Sequence, residues 1–189
     1  IGGGYTNAPS TVDRIDYSND TPTAVAKGPL SRGNSTVYWA LQAMGTVDYG
    51  YFIGGADKTT LDRIDYSNDT ATAAPKGPLS HKHNYGGGTG NASYGYICGG
   101  ATNDPSKLSN VDRIDYSSDT DTTLNKGPLT AQTESTSATG NTSYGYVGGG
   151  QVPPGPTTSK IDRIDYSSDT STALTRGPLT SGRYYLGAT

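Results

Sequence analysis

The stretch Asp-Arg-Ile-Asp-Tyr-Ser-Asn-Asp-Thr at residues 13–21 decides the organisation of this chain. It recurs at residues 62–70, 112–120 and 162–170, with Ser in place of Asn in the last two copies. The copies start 49, 50 and 50 residues apart. A fixed period of this size is typical of repeat proteins, in which each repeat packs on its neighbours.

Two further blocks keep the same period. Lys-Gly-Pro-Leu follows each copy, at residues 27–30, 76–79 and 126–129, and reads Arg-Gly-Pro-Leu at 176–179. Tyr-Gly-Tyr with a glycine pair close behind precedes the later copies, the pairs being Gly54 and Gly55, Gly99 and Gly100, and Gly149 and Gly150. We therefore predict a single repeat domain over residues 1–189, with units at approximately 1–48, 49–93, 94–143 and 144–189.

The pattern inside one unit predicts β-strands. Residues 49–53 are rich in strand formers and stop at a glycine pair, where a positive φ or a close approach is expected. Residues 61–66 alternate apolar and polar side chains, as a half-buried strand requires. The Asn, Asp and Ser that follow predict a turn, residues 70–74 an edge strand, and residues 81–91 a fourth strand before the cycle restarts. Four strands in about 50 residues is the size of a propeller blade.

The composition supports an all-β protein and excludes several function classes. Apolar residues make up 31% of the chain, but its 15 Tyr against one Phe and one Trp predict a core built on tyrosine. A net charge of −3 without a basic patch predicts no nucleic-acid partner. The single cysteine excludes a disulfide framework within the chain, and the lack of a long apolar run predicts no membrane insertion.

These motifs resemble the kelch repeat: a strand ending in Gly99-Gly100, a strand ending at Asp115-Tyr116, and a turn with Thr120. The resemblance covers all four units and implies a kelch-like β-propeller of four blades, or part of a larger propeller. The chain departs from the family at the position of its Trp, where Thr, Ala and Leu stand. An open stack of the same sheets is the alternative architecture. The near-verbatim repeat is also similar to repeats in virion structural proteins of tailed phages from aquatic bacteria.

The repeated charged and glycine residues are predicted to be structural. An arginine and an aspartate two residues later share one strand face, which predicts a ladder of arginine–carboxylate contacts between neighbouring units, while the turn aspartate is expected to cap its turn. Calcium ligation and an anion-binding ring of arginines are the alternatives. The structural set is Arg14, Asp16, Asp20, Gly54, Gly55, Arg63, Asp65, Asp69, Gly99, Gly100, Arg113, Asp115, Asp119, Gly149, Gly150, Arg163, Asp165 and Asp169.

No catalytic, cofactor or metal site is predicted. His81 and His83 lie two residues apart and could share a metal ion, but they occur in one unit and no third ligand is evident. Cys98 is expected to be a buried, inert thiol. The sequence contains no nucleophile elbow, phosphate loop or His-Glu-x-x-His motif. Five Asn-x-Ser/Thr patterns, at Asn19, Asn34, Asn68, Asn91 and Asn141, are interpreted as turn residues rather than glycosylation sites.

The favoured function is therefore a non-enzymatic structural or interaction protein of an extracellular particle, such as a phage tail, spike or fibre. Its expected partners are other structural proteins or copies of itself. A module that binds glycan or another host-surface ligand through its loops is the alternative.

Two regions leave the architecture open. Residues 37–44 allow a short helix or a bulged strand, and alternation elsewhere favours the strand. Residues 1–5 match the end of one repeat strand and residues 183–189 match the strand before it, so we expect these segments either to pair and close a ring or to pair with another copy or further chain.

Overall fold

The computed structural model describes residues 1–2, 10–31, 40–55, 58–102 and 106–188. Fourteen short strands and three 3₁₀ turns account for its regular structure. The strands are β1 (Val12–Arg14), β2 (Val25–Lys27), β3 (Gln42–Gly45), β4 (Tyr49–Ile53), β5 (Leu61–Asp65), β6 (Ala74–Lys76), β7 (Gly87–Gly90), β8 (Tyr94–Cys98), β9 (Val111–Asp115), β10 (Leu124–Asn125), β11 (Ser137–Gly140), β12 (Tyr144–Gly148), β13 (Ile161–Asp165) and β14 (Leu174–Arg176).

The strands form four antiparallel sheets in chain order. Sheet I contains β1 and β2, and sheets II, III and IV contain β3–β6, β7–β10 and β11–β14. Every neighbouring pair in a four-stranded sheet is consecutive in sequence, so each sheet is a meander. The all-β class and the four-stranded repeat are therefore as expected.

The sheets begin earlier than the predicted units. Strand β7 pairs with β8 through Gly87↔Cys98 to Gly90↔Gly95, so it opens sheet III instead of closing sheet II. Asn91 explains this pairing, because its Oδ1 accepts hydrogen bonds from Ser93 N at 2.9 Å and Tyr94 N at 3.0 Å and so holds a tight hairpin. The boundaries at residues 49, 94 and 144 therefore fall between the first and second strands of a sheet.

The bounds of two strands in sheet II differ from those expected. The edge strand of sheet II begins at Ala74 rather than at residue 70, and Pro75 is tolerated there because an edge strand needs no donor on its free side. Residues 37–44 are predicted to form a bulged strand or a short helix; residues 42–44 lie in strand β3, and residues 37–39 lie outside the described part of the chain.

The core lies between successive sheets. Val12 and Leu30 meet Ile64 between sheets I and II. Two larger clusters fill the next two junctions: one contains Tyr51, Ile53, Leu61, Leu79, Ile97 and Ile114, the other Tyr96, Cys98, Val111, Leu129, Val147, Ile164 and Tyr166. Each cluster draws residues from two sheets, so a unit buries its apolar face against its neighbour.

The first strands of sheets II, III and IV approach one another most closely. A Cβ on Gly88 would lie 2.7 Å from the carbonyl oxygen of Ala43, and one on Gly87 would lie 2.9 Å from Cβ of Ala138. The glycine-rich sequence of β7 is what permits strands of three sheets to converge there.

The two ends of the described chain each pair locally. Ile1 and Gly2 lie beside β1, with Asp13 N donating to Ile1 O at 2.7 Å. Arg183 O accepts a hydrogen bond from Gly150 N at 2.8 Å, and Tyr185 N donates to Ser135 O at 3.2 Å. Residues 3–5 and 189 of the expected closing segments lie outside the described residues.

Candidate functional site

A turn carboxylate at the junction of sheets II and III is held by basic and tyrosine side chains of the preceding sheet. Arg63 Nη1 lies 2.7 Å from Asp119 Oδ2, and Lys76 Nζ lies 3.1 Å from Oδ1. Tyr51 donates its hydroxyl hydrogen to Oδ2 at 2.9 Å. The Arg63 guanidinium also stacks 4.4 Å from the ring centroid of Tyr49. We call this arrangement the clamp; it satisfies a buried charge with two cations and a hydroxyl.

The clamp recurs at the junction of sheets III and IV. Arg113 and Lys126 lie 2.7 Å and 3.3 Å from the carboxylate of Asp169, and Tyr96 donates to it at 3.0 Å. Burial, together with the adjacent aspartate charge, raises the pKa of Tyr96 well above its usual value. The hydroxyl is therefore protonated and acts as a donor over the accessible pH range.

A simpler form of the clamp joins sheets I and II. Arg14 and Lys27 lie 2.7 Å and 3.1 Å from the carboxylate of Asp69. Burial alone would raise the pKa of Asp69, but Lys27 and Arg14 more than offset it and hold that pKa below its ordinary value. The arginine at this junction is the more exposed, with 54% of its side chain accessible against 24% for Arg63.

The carboxylate in the clamp differs from the one that the strand pattern indicates. Asp65 ends its strand and caps the following 3₁₀ turn, because its Oδ1 accepts hydrogen bonds from Ser67 N at 2.8 Å and Ser67 Oγ at 2.6 Å. These bonds lower the pKa of Asp65. The same cap occurs at Asp16, Asp115 and Asp165. The two aspartates thus exchange their expected roles: the strand-end residue caps the turn, and the turn residue binds the arginine of the preceding unit.

The Gly-Pro pair of each of the first three units docks against the turn of the next unit. Gly77 N donates to Asp119 O at 2.8 Å, and Thr123 N donates to Pro78 O at 3.0 Å. A Cβ on Gly77 would lie 2.0 Å from the carbonyl oxygen of Asp121. Gly28 and Gly127 are equally close to the turns that follow them. The sequence pattern explains the proline as a strand end, whereas the glycine is needed for contact between units.

The last sheet carries the same side chains without a carboxylate. Tyr146, Arg163 and Arg176 occupy the positions of Tyr51, Arg63 and Lys76. Within the described residues, no carboxylate lies within ion-pair distance of Arg163 or Arg176. A Cβ on Gly177 would meet nothing within 4 Å. We call this surface the acceptor face.

The first unit presents the opposite half of the junction. Asp20 is exposed and has no partner among the described residues, and Tyr17 is 94% exposed. At the two inner junctions the residue equivalent to Tyr17 is stacked: Tyr116 lies on Tyr51 with centroids 5.0 Å apart, and Tyr166 lies on Tyr96 at 4.7 Å. We call the surface around Asp20 and Tyr17 the donor face.

The glycine pairs turn the chain toward the next unit. Both members of each pair have positive φ, from 63° at Gly99 to 100° at Gly100, which a side chain rarely adopts. Gly100 N donates to Thr133 O at 2.7 Å, and a Cβ on Gly99 would lie 2.8 Å from the same oxygen. Close packing and unusual backbone therefore coincide at this pair.

A cleft opens where the first strands converge. It has a volume of about 260 Å³ and is lined by residues from every four-stranded sheet. Four non-glycine residues on its wall have positive φ, namely Ala40, Tyr85, Ser135 and Tyr185. Tyr85 N donates to Ala40 O and Tyr185 N donates to Ser135 O, so the strained residues are linked across units. Residues in such backbone regions concentrate at functional sites.

The two histidines meet a third candidate ligand that the sequence pattern does not reveal. His81, His83 and Asp112 place one ligand atom each within 4.8 Å of one another. Asp112 lies 29 residues beyond His83 in sequence and reaches it through the packing of sheet III. Cys98 is fully buried nearby, and burial raises the pKa of its thiol, in keeping with an unreactive residue.

Comparisons with known proteins find a similar fold but do not identify a family. No family model matches the sequence, and no curated protein matches it. The solved structure of YjhT is similar, with a TM-score of 0.76 at 10% sequence identity over 96% of this chain. This chain spans 63% of the length of that protein. At this identity the likeness shows a shared all-β arrangement of sheets and nothing of activity.

None of the described helical segments is long and apolar enough to cross a membrane.

Proposed function

We propose that this chain is a non-enzymatic structural protein whose kelch-like sheets act as propeller blades and whose copies associate through the acceptor and donor faces. The observation that carries the proposal is the clamp, which is complete at two successive junctions, lacks the tyrosine bond among the described residues at a third, and is half-present on the outer faces of sheets I and IV. The blades would belong to a four-bladed ring or to a larger array. Convergence of the first strands of three sheets supports a radial arrangement.

The occupant proposed for the acceptor face is the first unit of a second copy. Its Asp20 would enter between Arg163 and Arg176, and its Tyr17 would stack on Tyr146, as the equivalent residues do at the inner junctions. Gly177 leaves room for the incoming turn, since Gly77 and Gly127 contact such a turn at their own junctions. Charge and shape are thus complementary between two faces of one molecule.

Such a contact is heterologous, because the two faces differ. Heterologous contacts generate closed rings or open filaments. We propose that the assembly belongs to an extracellular particle or appendage, such as a phage tail, spike or fibre, since rings and filaments are usual building elements of such particles. Detection of the chain in purified particles by mass spectrometry tests this location, and its consistent absence from them would count against it.

Charge reversal tests the contact directly. Sedimentation velocity of the full chain should show association that grows with concentration and weakens with salt. Asp20→Arg or Arg163→Asp alone should abolish association, and an equimolar mixture of the two variants should form dimers with one copy of each, because each supplies the face that the other lacks. Asp48→Arg, which reverses an exposed carboxylate in the β3–β4 hairpin, is the control and should associate normally.

A steric variant separates assembly from folding. Gly177→Val should leave the thermal midpoint of the monomer unchanged, since no atom lies within 4 Å of the added Cβ, but should prevent association. A chain that stays monomeric at all concentrations, or associates equally well with Asp20 reversed, would contradict the proposed contact.

Glycan binding in the central cleft is the second candidate function. The exposed rings of Tyr184 and Tyr185 lie 4.9 Å apart at its mouth, and Tyr185 is one of the four residues with strained backbone. Aromatic rings beside polar side chains such as Gln42 and Thr136, which line the cleft, can contact both the apolar face and the hydroxyls of a sugar. A glycan array with Tyr185→Ala as the negative control tests this function; no bound glycan, or equal binding by the variant, argues against it.

A further inference from the structure

The strongest unassigned site is the buried group formed by His81, His83 and Asp112. It lies where the loop after the Gly-Pro pair of sheet II crosses strand β9 of sheet III. His83 and Asp112 are fully buried, while 38% of the His81 side chain is exposed. The group therefore has an interior wall and one opening toward solvent.

The hydrogen bonds of His83 fix which of its nitrogens can bind a ligand. Its Nδ1 lies 2.6 Å from the carbonyl oxygen of Gly99, which can only accept, so Nδ1 carries the hydrogen. In the neutral imidazole Nε2 then has a free lone pair. Nε2 is buried, has no hydrogen-bond partner and faces Asp112 Oδ2 at 3.6 Å.

Two electron-rich atoms that face each other in the interior are stabilised by a positive charge between them, which is either a proton on Nε2 or a metal ion. The separation of 3.6 Å is too long for a good N–H···O hydrogen bond, which spans about 2.7–3.2 Å. Two ligands of one tetrahedral ion, each bound at about 2.0–2.1 Å, lie about 3.3 Å apart. His81 Nδ1 is 3.1 Å from the other carboxylate oxygen, and His81 Nε2 lies 3.2 Å from the side-chain nitrogen of Asn110. Nδ1 supplies a third ligand from the solvent side in the tautomer that carries the ring hydrogen on Nε2, with the Asn110 amide turned so that its oxygen accepts.

The next unit places a cation beside the equivalent buried carboxylate. The buried carboxylate of Asp162 has the ammonium group of Lys160 at 3.0 Å. The position of Lys160 is taken by the neutral Asn110 in the preceding unit, where Asp112 is the equivalent carboxylate. The histidine pair stands in sheet III where the lysine is missing, whereas the equivalent buried carboxylate of sheet II, Asp62, accepts hydrogen bonds from Ser31 N and Oγ and has no ion pair among the described residues.

We propose that His81, His83 and Asp112 bind a divalent transition metal ion, with Zn²⁺ as the representative of this class. Two imidazoles and one carboxylate are typical ligands of such ions and disfavour Ca²⁺ or Mg²⁺, which prefer oxygen alone. The ion would join sheet II to sheet III beside the clamp on Asp119. It is thus a structural tie, independent of association between copies.

The test is zinc titration of the purified full chain after treatment with a chelator. Isothermal calorimetry should show one Zn²⁺ bound per chain, and the thermal midpoint should rise with zinc concentration, because an ion that binds the folded state stabilises it. Co²⁺ in place of Zn²⁺ should give the visible absorption of a low-symmetry four-coordinate site.

The neighbouring unit supplies matched variants. His83→Thr and His81→Ala introduce the residues found at Thr133 and Ala131, and each should weaken zinc binding at least tenfold. Lys82→Gln introduces the residue at Gln132 and should leave zinc affinity unchanged. His81 is partly exposed, so its variant is expected to fold even where that of His83 does not. The proposal is overturned if the wild-type chain takes up no zinc, or if His81→Ala binds zinc as tightly as the wild type.

Discussion

Replacing Gly77 by alanine tests whether the Gly-Pro block is a docking element between units. The added Cβ would lie 2.0 Å from the carbonyl oxygen of Asp121 and 2.6 Å from the carbonyl carbon of Thr120. Both atoms belong to backbone, so no side chain can rotate away. Ordinary contact begins at about 3.4 Å, so the turn of sheet III must retreat by roughly 1.4 Å.

That displacement determines how much the free energy of unfolding falls. It breaks the hydrogen bonds from Gly77 N to Asp119 O and from Thr123 N to Pro78 O, each contributing about 1 kcal/mol. It also loosens the clamp on Asp119, whose partly buried ion pairs contribute about another 1–3 kcal/mol. Alanine gains back about 0.4–1 kcal/mol by restricting the unfolded chain. The free energy of unfolding should therefore fall by about 3 kcal/mol.

Urea unfolding followed by far-ultraviolet circular dichroism measures this loss. Gly177→Ala is the matched control, because it changes the same position of the repeat where nothing lies within 4 Å. It should be neutral or slightly stabilising, and it should be compared at a concentration where the chain is monomeric. Equal unfolding midpoints for the two variants would refute the assignment of this glycine to the junction.

Three further predictions concern the clamp, the glycine pairs and pH. Arg63→Ala should lower the free energy of unfolding by about 1–3 kcal/mol, and Arg163→Ala should lower it less, because both arginines stack on a tyrosine but Arg163 has no ion pair among the described residues. Equal losses in the two variants, measured by chemical denaturation, would show that the ion pairs of the clamp do not stabilise the fold. Gly99→Val should lower the thermal midpoint sharply, because a positive φ and a 2.8 Å approach of the added Cβ to Thr133 O coincide there. Gly155→Ala, with open space around it, should leave the midpoint unchanged. Similar melting curves for the two variants would contradict the structural role of the glycine pair. The strand-end caps and Asp69 have lowered pKa values, so the stability they contribute is present above the unfolded pKa of about 3.9 and is lost as pH falls through the folded values, which lie lower. Urea midpoints should therefore drop as the pH falls below about 4, and Ser67→Ala should flatten that drop.

The sequence predicts the regular parts of this molecule because they depend on local pattern. Alternation in residues 61–65 and the glycine pair at the end of β4 are sufficient to predict strands and their ends. The hairpin before Tyr94 shows the limit, since the strand β7 could pair with either neighbour until Asn91 is seen to form the turn. A strand of glycine and threonine has no apolar alternation to settle its partner.

Contacts between units are harder to predict, since they depend on how two sheets pack. Arg63 is recognisable as an inter-unit residue from its repetition, but Asp65 and Asp69 are equally repeated, and the packing alone selects a turn aspartate. Histidine spacing likewise cannot predict Asp112 as a third ligand, because packing alone brings it to His81 and His83. Its equivalents in the other units have no histidine near them in sequence, so repetition gives no signal.

The burial of Cys98 has a practical consequence for following this molecule in solution. The chain has one cysteine, and it lies in the cluster between sheets III and IV with none of its surface accessible. An alkylating reagent can reach the sulfur only when the packing around it opens, and the thiolate forms readily only in that open state because burial raises the pKa in the closed one. The rate of alkylation under native conditions therefore measures how often the packing around Cys98 opens. The protein thus needs no added label for a measurement of local unfolding at this cluster.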